Sequence, residues 1–384
     1  MEINELLREA YSRHASDLHI KVGSPPVLRI HGQLVPMQGV QRVTQDDALR
    51  IASVVMSPNQ REVFKRRHDI DLAYSVPGLG RFRCNILIQR GTIGLVFRVI
   101  PMKIPTIDEL NLPEVLKKVA LESRGLILVT GTTGSGKSTT LAAIIDHINN
   151  NRTNNIITIE DPIEYLHRDK KSIINQREVG SDTESFSKAL RAALRQDPDV
   201  ILVGEMRDFE TIQTAITAAE TGHLVLSTLH TTDATETVNR IIAVFPPYQH
   251  KQIRTQLASV IRGIISMRLV PRADGSGRVP AVEVLLATET IRECIFDPDK
   301  TKMIPDVIAK SKVHYGMQTF DQSIYDLYKA GLITYEEALM RATNPDDFAL
   351  KVKGIQSTSD LTYEEIDQQK QGPKDSIPIE RFHQ

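Results

Sequence analysis

Gly125-Leu-Ile-Leu-Val-Thr-Gly131-Thr-Thr-Gly-Ser-Gly136-Lys137-Ser138 is the stretch on which the reading of this 384-residue chain turns. Leu126 to Val129 is an apolar run of the kind a buried parallel strand uses. Gly131-x-x-x-x-Gly136-Lys137-Ser138 follows, and then Leu141, Ile144, Ile145 and Ile148 at helical spacing. Strand, glycine loop and helix together make the setting of a phosphate-binding P-loop. The glycines let backbone N–H groups converge on an anion without Cβ collisions, and the helix N-terminus adds partial positive charge. Gly131, Thr132, Thr133, Gly134, Ser135, Gly136, Lys137, Ser138 and Thr139 are therefore the expected cradle for ATP. Lys137 reaches the β and γ phosphates, and the Ser138 hydroxyl ligates Mg²⁺. Such a pattern arises by chance in roughly 1–2% of chains this long.

Outward from that stretch, composition bounds the rest. Apolar residues make up 41%, charged residues 25%, and the net charge is −1, the profile of a soluble globular protein of two or three domains. No window approaches the ~18 apolar residues of a membrane span. The opening Met-Glu-Ile-Asn-Glu lacks the basic and apolar regions of a signal peptide, so the expectation is a protein neither secreted nor membrane-spanning. Cys84 and Cys294 are the only cysteines, which excludes a cysteine-built zinc site and fits a reducing cytoplasm. Near-zero charge, no Trp and no basic tract interleaved with aromatics speak against nucleic acid as a partner.

Residues 1 to 100 read as a small α+β domain. Ile3, Leu6, Leu7 and Ala10 give one helical face. Short period-2 segments follow at Asp17 to Val22, Val27 to Ile30 and Leu34 to Met37, with Pro25-Pro26 and His31-Gly32 as turns. A helix is expected from Gln45 to Met56 with Thr44 as N-cap, then strands at Ile70 to Val76, Arg81 to Gln89 and Gly94 to Ile100. Pro101 to Pro105 form a stiff linker.

Residues 106 to about 355 read as a larger α/β domain. Asn155 to Ile159 is an apolar strand running into Glu160-Asp161-Pro162-Ile163-Glu164. Carboxylates at that strand end lie where α/β sheets bind ligands, so one could hold Mg²⁺ and another orient the attacking water. Ser185 to Arg195 reads as a helix. Val200 to Val203 is a strand buried on both faces that delivers Glu205, a Walker B arrangement. Phe209 to Thr221 is a helix stopped by Gly222. His223 and the strand Leu224 to Thr228 follow, and His230 stands at that strand's end, placed to sense or contact phosphate. Further helices are expected around Val238 to Phe245, Ile253 to Ile265, Phe320 to Lys329 and Tyr335 to Ala342. A hairpin is expected around Ala273 to Gly277, and disorder from 356 to the end.

In order along the chain stand the P-loop, the acidic Ile-Glu160-Asp161-Pro-Ile-Glu164, the strand Asp199 to Glu205, and Ala-Glu220-Thr-Gly-His223 through Leu-His230. This set resembles the bacterial secretion ATPases of type II secretion and type IV pili. Ser16-Asp17-Leu18-His19, Gly80-Arg81-Phe82-Arg83 and Gly316-Met-Gln-Thr-Phe-Asp321 narrow the resemblance to pilus-retraction, PilT-like ATPases over residues 1 to 355.

That resemblance implies a PAS-like N-terminal domain before a RecA-like ATPase domain, with ATP between them. It also implies a homohexameric ring on the cytoplasmic side of the inner membrane, reaching the membrane only through a pilus platform protein. Arg83 and Arg98 match positions whose arginines contact the phosphates, while Asp161 and His223 fall in the family's nucleotide-binding boxes. Glu164 is implied as general base and Glu205 as the Mg²⁺-associated carboxylate, with Glu160, Lys137 and His230 beside them. Pilus-extension relatives carry an extra N-terminal domain and a tetracysteine motif, which favours retraction here. The family's retraction signature stands as Thr290-Ile-Arg-Glu-Cys-Ile-Phe-Asp297, matching at Arg292 and the isoleucines, so both retraction alone and assistance to a paralogue stay open. The alternatives are a type II secretion or pilus-assembly ATPase and, from another class, a RecA-like nucleic-acid translocase.

Overall fold

Alternating apolar residues in the first hundred positions build an antiparallel sheet whose buried face carries Leu18, Leu28, Phe82, Cys84, Ile86, Leu95 and Phe97. The computed structural model describes residues 1–30, 32–100 and 103–354. The expected disorder from 356, His31 of the first turn, and Pro101 and Met102 of the linker lie outside the described residues. Strands β1 (Asp17–Lys21), β2 (Val27–Ile30), β3 (Gln33–Pro36), β4 (Asp69–Val76), β5 (Gly80–Gln89) and β6 (Thr92–Val99) run in the order β3-β2-β1-β6-β5-β4. Helix Ile3–Ser12 buries Ile3, Leu6, Leu7 and Ala10 against this core, as its periodicity predicts. Helix Gln45–Val55 begins at Thr44, whose hydroxyl accepts from the Asp47 N–H while Asp47 accepts from Thr44, a reciprocal capping box.

The second sheet has seven strands: β7 (Gly125–Thr130), β8 (Asn155–Glu160), β9 (Ile173–Glu178), β10 (Val200–Val203), β11 (Leu224–Leu229), β12 (Ile261–Pro271) and β13 (Arg278–Leu286). The chain divides into two compact units, each discontinuous in sequence. One holds Met1–Thr106 with Ile145–Gly204, and the other holds Ile107–Ile144 with the described residues from Glu205. In the first unit β10, β8 and β9 are parallel neighbours in that order. In the second, β12, β7 and β11 are parallel, and β12 closes a long antiparallel hairpin with β13. Every residue of β7, β10 and β11 is buried, which is why these strands are predominantly apolar, with Thr130, Ser227 and Thr228 as buried polar exceptions. The fold is therefore α/β, with one antiparallel and one mixed sheet.

One expected helix is corrected. Ile253 to Ile265 does not stay helical: helix His250–Val260 stops and β12 starts at Ile261. The apolar run through Ile264, Ile265 and Met267 is buried on both faces of a sheet, a setting that periodicity cannot tell from a buried helix. Helix Val115–Ala120, helix Pro58–Arg67 and β9 were not expected. Helix Pro58–Arg67 buries only Phe64, and β9 buries only Glu178, so neither carries an apolar period.

Candidate functional site

The P-loop is built by β7, a glycine turn and helix Lys137–Asn151. Gly131 has φ +142°, and a Cβ there would lie 2.5 Å from Ser135 Oγ and 2.6 Å from the Met267 carbonyl, so only glycine fits. Gly134 and Gly136 also have positive φ, +78° and +100°. Lys137 is 9% exposed, and its ammonium donates to the carbonyls of Gly131 at 2.8 Å and Thr132 at 3.0 Å. Ser135 Oγ is buried without a hydrogen-bond partner. Thr132, Thr133 and Gly134 face solvent, with Ser138 and Thr139 half-buried on the first helical turn. A concave loop with an orphaned hydroxyl, an enclosed cation and a helix N-terminus has the shape and charge for a polyphosphate.

Glu205 follows Gly204 at the end of β10, its side chain 17% exposed. It pairs with Arg207 and lies 3.2 Å from His230 Nε2, beyond the end of β11. The Met206 N–H bonds the Thr228 carbonyl at 3.2 Å and fixes that spacing. The structure thus brings Glu205 and His230 together, as their strand-end positions suggested. His223 is placed differently: its Nδ1 lies 2.9 Å from the Ala218 carbonyl and 3.3 Å from Thr221 Oγ1, at the end of helix Phe209–Glu220.

In the other unit, Arg83, Arg98, Val99 and Ile100 line a cavity of about 170 Å³ together with Pro162, Ile163, Glu164 and Tyr165. Glu164 is exposed at this cavity. Arg83 also lines a neighbouring cavity of about 330 Å³ with Asp71, Asp161 and Glu178. Both arginines rest on carboxylates: Arg98 donates to Asp17 at 2.9 Å, and Arg83 lies 3.5 Å from Asp71. Asp17 is buried on β1 directly across from Arg98 on β6, with Arg29 across on β2. Glu160 accepts from Thr158 Oγ1 at 2.7 Å and Gln176 Nε2 at 3.1 Å. Burial pushes its carboxyl up, against these two bonds and one from the Glu164 backbone, which lower it.

Sequence reasoning missed Glu178 and grouped Arg81 with Arg83 and Arg98. Arg81 does not line the cavity with Arg83 and Arg98 but donates to Glu178 Oε2 at 2.8 Å. Glu178 ends β9, a strand with no apolar signal, so nothing in the sequence pointed to it.

Residues 1–339 match the family described as type II/IV secretion system protein. The chain is 44% identical over 361 residues to the type IV pilus ATPase PilU of Pseudomonas aeruginosa, covering 94% of each chain. It is also 44% identical over 348 residues to that organism's type IV pilus retraction ATPase PilT, covering 91% of this chain and 100% of that one. A crystal structure of the pilus retraction motor PilT with bound ADP superimposes with a TM-score of 0.83 at 46% identity, covering 90% of this chain and 98% of that one.

Proposed function

The chain belongs to the type II/IV secretion system protein family, and from that premise we propose that it is an ATPase coupling ATP hydrolysis to type IV pilus retraction in twitching motility. The observation that carries the nucleotide chemistry is the Gly131 to Ser138 loop, with Lys137 enclosed and Ser135 Oγ orphaned. Near full-length identity to pilus ATPases carries the biological direction.

In this reading Lys137 and the loop N–H groups neutralise the phosphates and hold the transferring group in line. Ser138 and Glu205 are of the right hard-oxygen chemistry to hold Mg²⁺, which when bound would counter charge on the β and γ phosphates. Glu164 orients the attacking water and takes its proton. It fits this role better than Glu160, whose buried carboxyl accepts from Thr158 and Gln176, or Glu205, which is engaged by Arg207 and His230. Arg83 and Arg98 exchange Asp71 and Asp17 for phosphate oxygens, and His230 couples Glu205 to the nucleotide state. The same reading makes residues 1–100 a PAS-like domain and 106–355 a RecA-like ATPase domain. The chain works as a homohexamer at the cytoplasmic face of the inner membrane, against a pilus platform protein.

Deleting the gene and counting surface pili tests the direction: hyperpiliated, non-twitching cells are expected, and bald cells would assign the chain to assembly. A second reading has a specific basis, since identity to PilU equals identity to PilT at 44%. If the chain assists a paralogous motor, its overexpression leaves twitching absent in cells lacking that paralogue.

A further inference from the structure

The carboxylate of Glu178 sits 5% exposed between two donors from distant parts of the chain. Its Oε2 accepts Arg81 Nη2 from β5 at 2.8 Å and the backbone N–H of Ile163 at 3.1 Å. Ser181 Oγ reaches Oε1 at 3.3 Å, and the Glu178 N–H is held by Asp182 at 2.8 Å. Ile163, itself buried, immediately precedes Glu164. Register pins the other end of the turn, because Glu178 pairs with Glu160 across β8 and β9, and the Val179 N–H bonds the Glu160 carbonyl at 2.8 Å. The acidic turn is thus clamped from the same short segment before Glu164 and at its root. Arg81 is 19% exposed, its Nε–H is buried without a hydrogen-bond partner, and its ion pair is with Glu178.

We propose that Glu178 and Arg81 form a positioning pair for the Glu164 carboxylate: Glu178 fixes the Ile163 amide, and Arg81 holds the Glu178 carboxylate aimed at it. Neither residue touches substrate in this proposal, which rests on Glu164 being the general base. Without Arg81 the Glu178 carboxylate loses the charged donor that fixes its orientation, and its bond to the Ile163 N–H loosens. An amide released at position 163 leaves Glu164 able to rotate away from its water, and small displacements of a base are costly in rate.

Steady-state ATPase assays on the full chain test this, with thermal unfolding run on each variant. Glu178→Ala is expected to lower kcat by about 10-fold or more with KM for ATP within about threefold. Glu178→Gln keeps an acceptor for the Ile163 N–H and is expected to lower kcat by only about threefold; it remains assayable should the alanine variant fail to fold. In the Glu164→Gln background, either change at position 178 is expected to cost nothing further, since the group being aimed is already gone. A full additional loss in that background, or a change confined to KM, overturns the pair as a positioning device. Near-normal turnover of Glu164→Gln alone overturns the choice of base instead, so the two failures are read from different variants.

Discussion

Lys137, enclosed by the loop it serves, has the Gly131 and Thr132 carbonyls as acceptors where a nucleotide's phosphate oxygens would compete. Lys137→Ala is expected to lower ATP turnover by at least about 10²–10³, measured as phosphate release. Asp17 makes a different residue-scale prediction. It is buried between Arg29 and Arg98, so Asp17→Asn weakens the hold on Arg98. If Arg98 must arrive at phosphate from a fixed direction, KM for ATP rises several-fold, about 3- to 10-fold, with thermal stability lowered by a few degrees. Glu283 carries the pH dependence. Burial, first, and Asp233, second in sense, push its carboxyl up to about 7, against a bond from the Ala234 N–H and the nearby Ser266 and Arg268. Between the ordinary carboxylate value and about 7, the folded protein binds this proton more readily than the unfolded chain. Its contribution to stability is therefore present in acid and lost as pH rises through about 7. Melting curves of Glu283→Gln should show the variant gaining on the wild type between about pH 5 and pH 8. Lys137 and Glu205 could be named from sequence because each follows a strand at a motif's spacing. Glu178 could not, because its importance lies in one backbone N–H fifteen residues upstream, a relation that no periodicity encodes.

Among the elements, β7 is the most constrained. Gly125 opens it at φ +120°, and a Cβ there would stand 2.6 Å from the Val260 carbonyl and 2.6 Å from Arg262 Cγ. Gly125→Ala is expected to cost on the order of 2 kcal/mol or more of stability, read by urea unfolding, because neither the dihedral nor the space admits a side chain. Strands were legible wherever burial was complete, as in β7, β10 and β11, or strictly alternating, as in β5. Helix Pro58–Arg67 was legible only through its ends: Ser57 and Gln60 form a capping box, and Pro58 occupies the first turn. Its middle is polar, so a search by apolar spacing passes over it. The switch from helix to strand at Ile261 was illegible for the opposite reason. Apolar residues continue from the helix into the strand without a break signal, and what decides is pairing of Ile264 and Ile265 with Leu128 and Val129 on β7, 136 residues away.

For the molecule as a whole, nucleotide binding and folding are linked. Adding ADP at about 100 times its dissociation constant should raise the unfolding free energy by about 2.7 kcal/mol, and Lys137→Ala should lose most of that gain. Architecture class and the order of the boxes were readable because each box is local, a strand followed at once by its functional residue. The discontinuity of the units was not, because it depends on which distant segments share a core. Arg81 and Glu178, 97 positions apart yet in direct contact, show what this means for anyone cutting the gene. A chimaera that takes its first hundred residues from a relative without arginine at position 81 leaves Glu178 without its cation. Position 178 must travel with position 81, and grafts that honour this should express and melt like their parents while simple N-terminal swaps lose solubility.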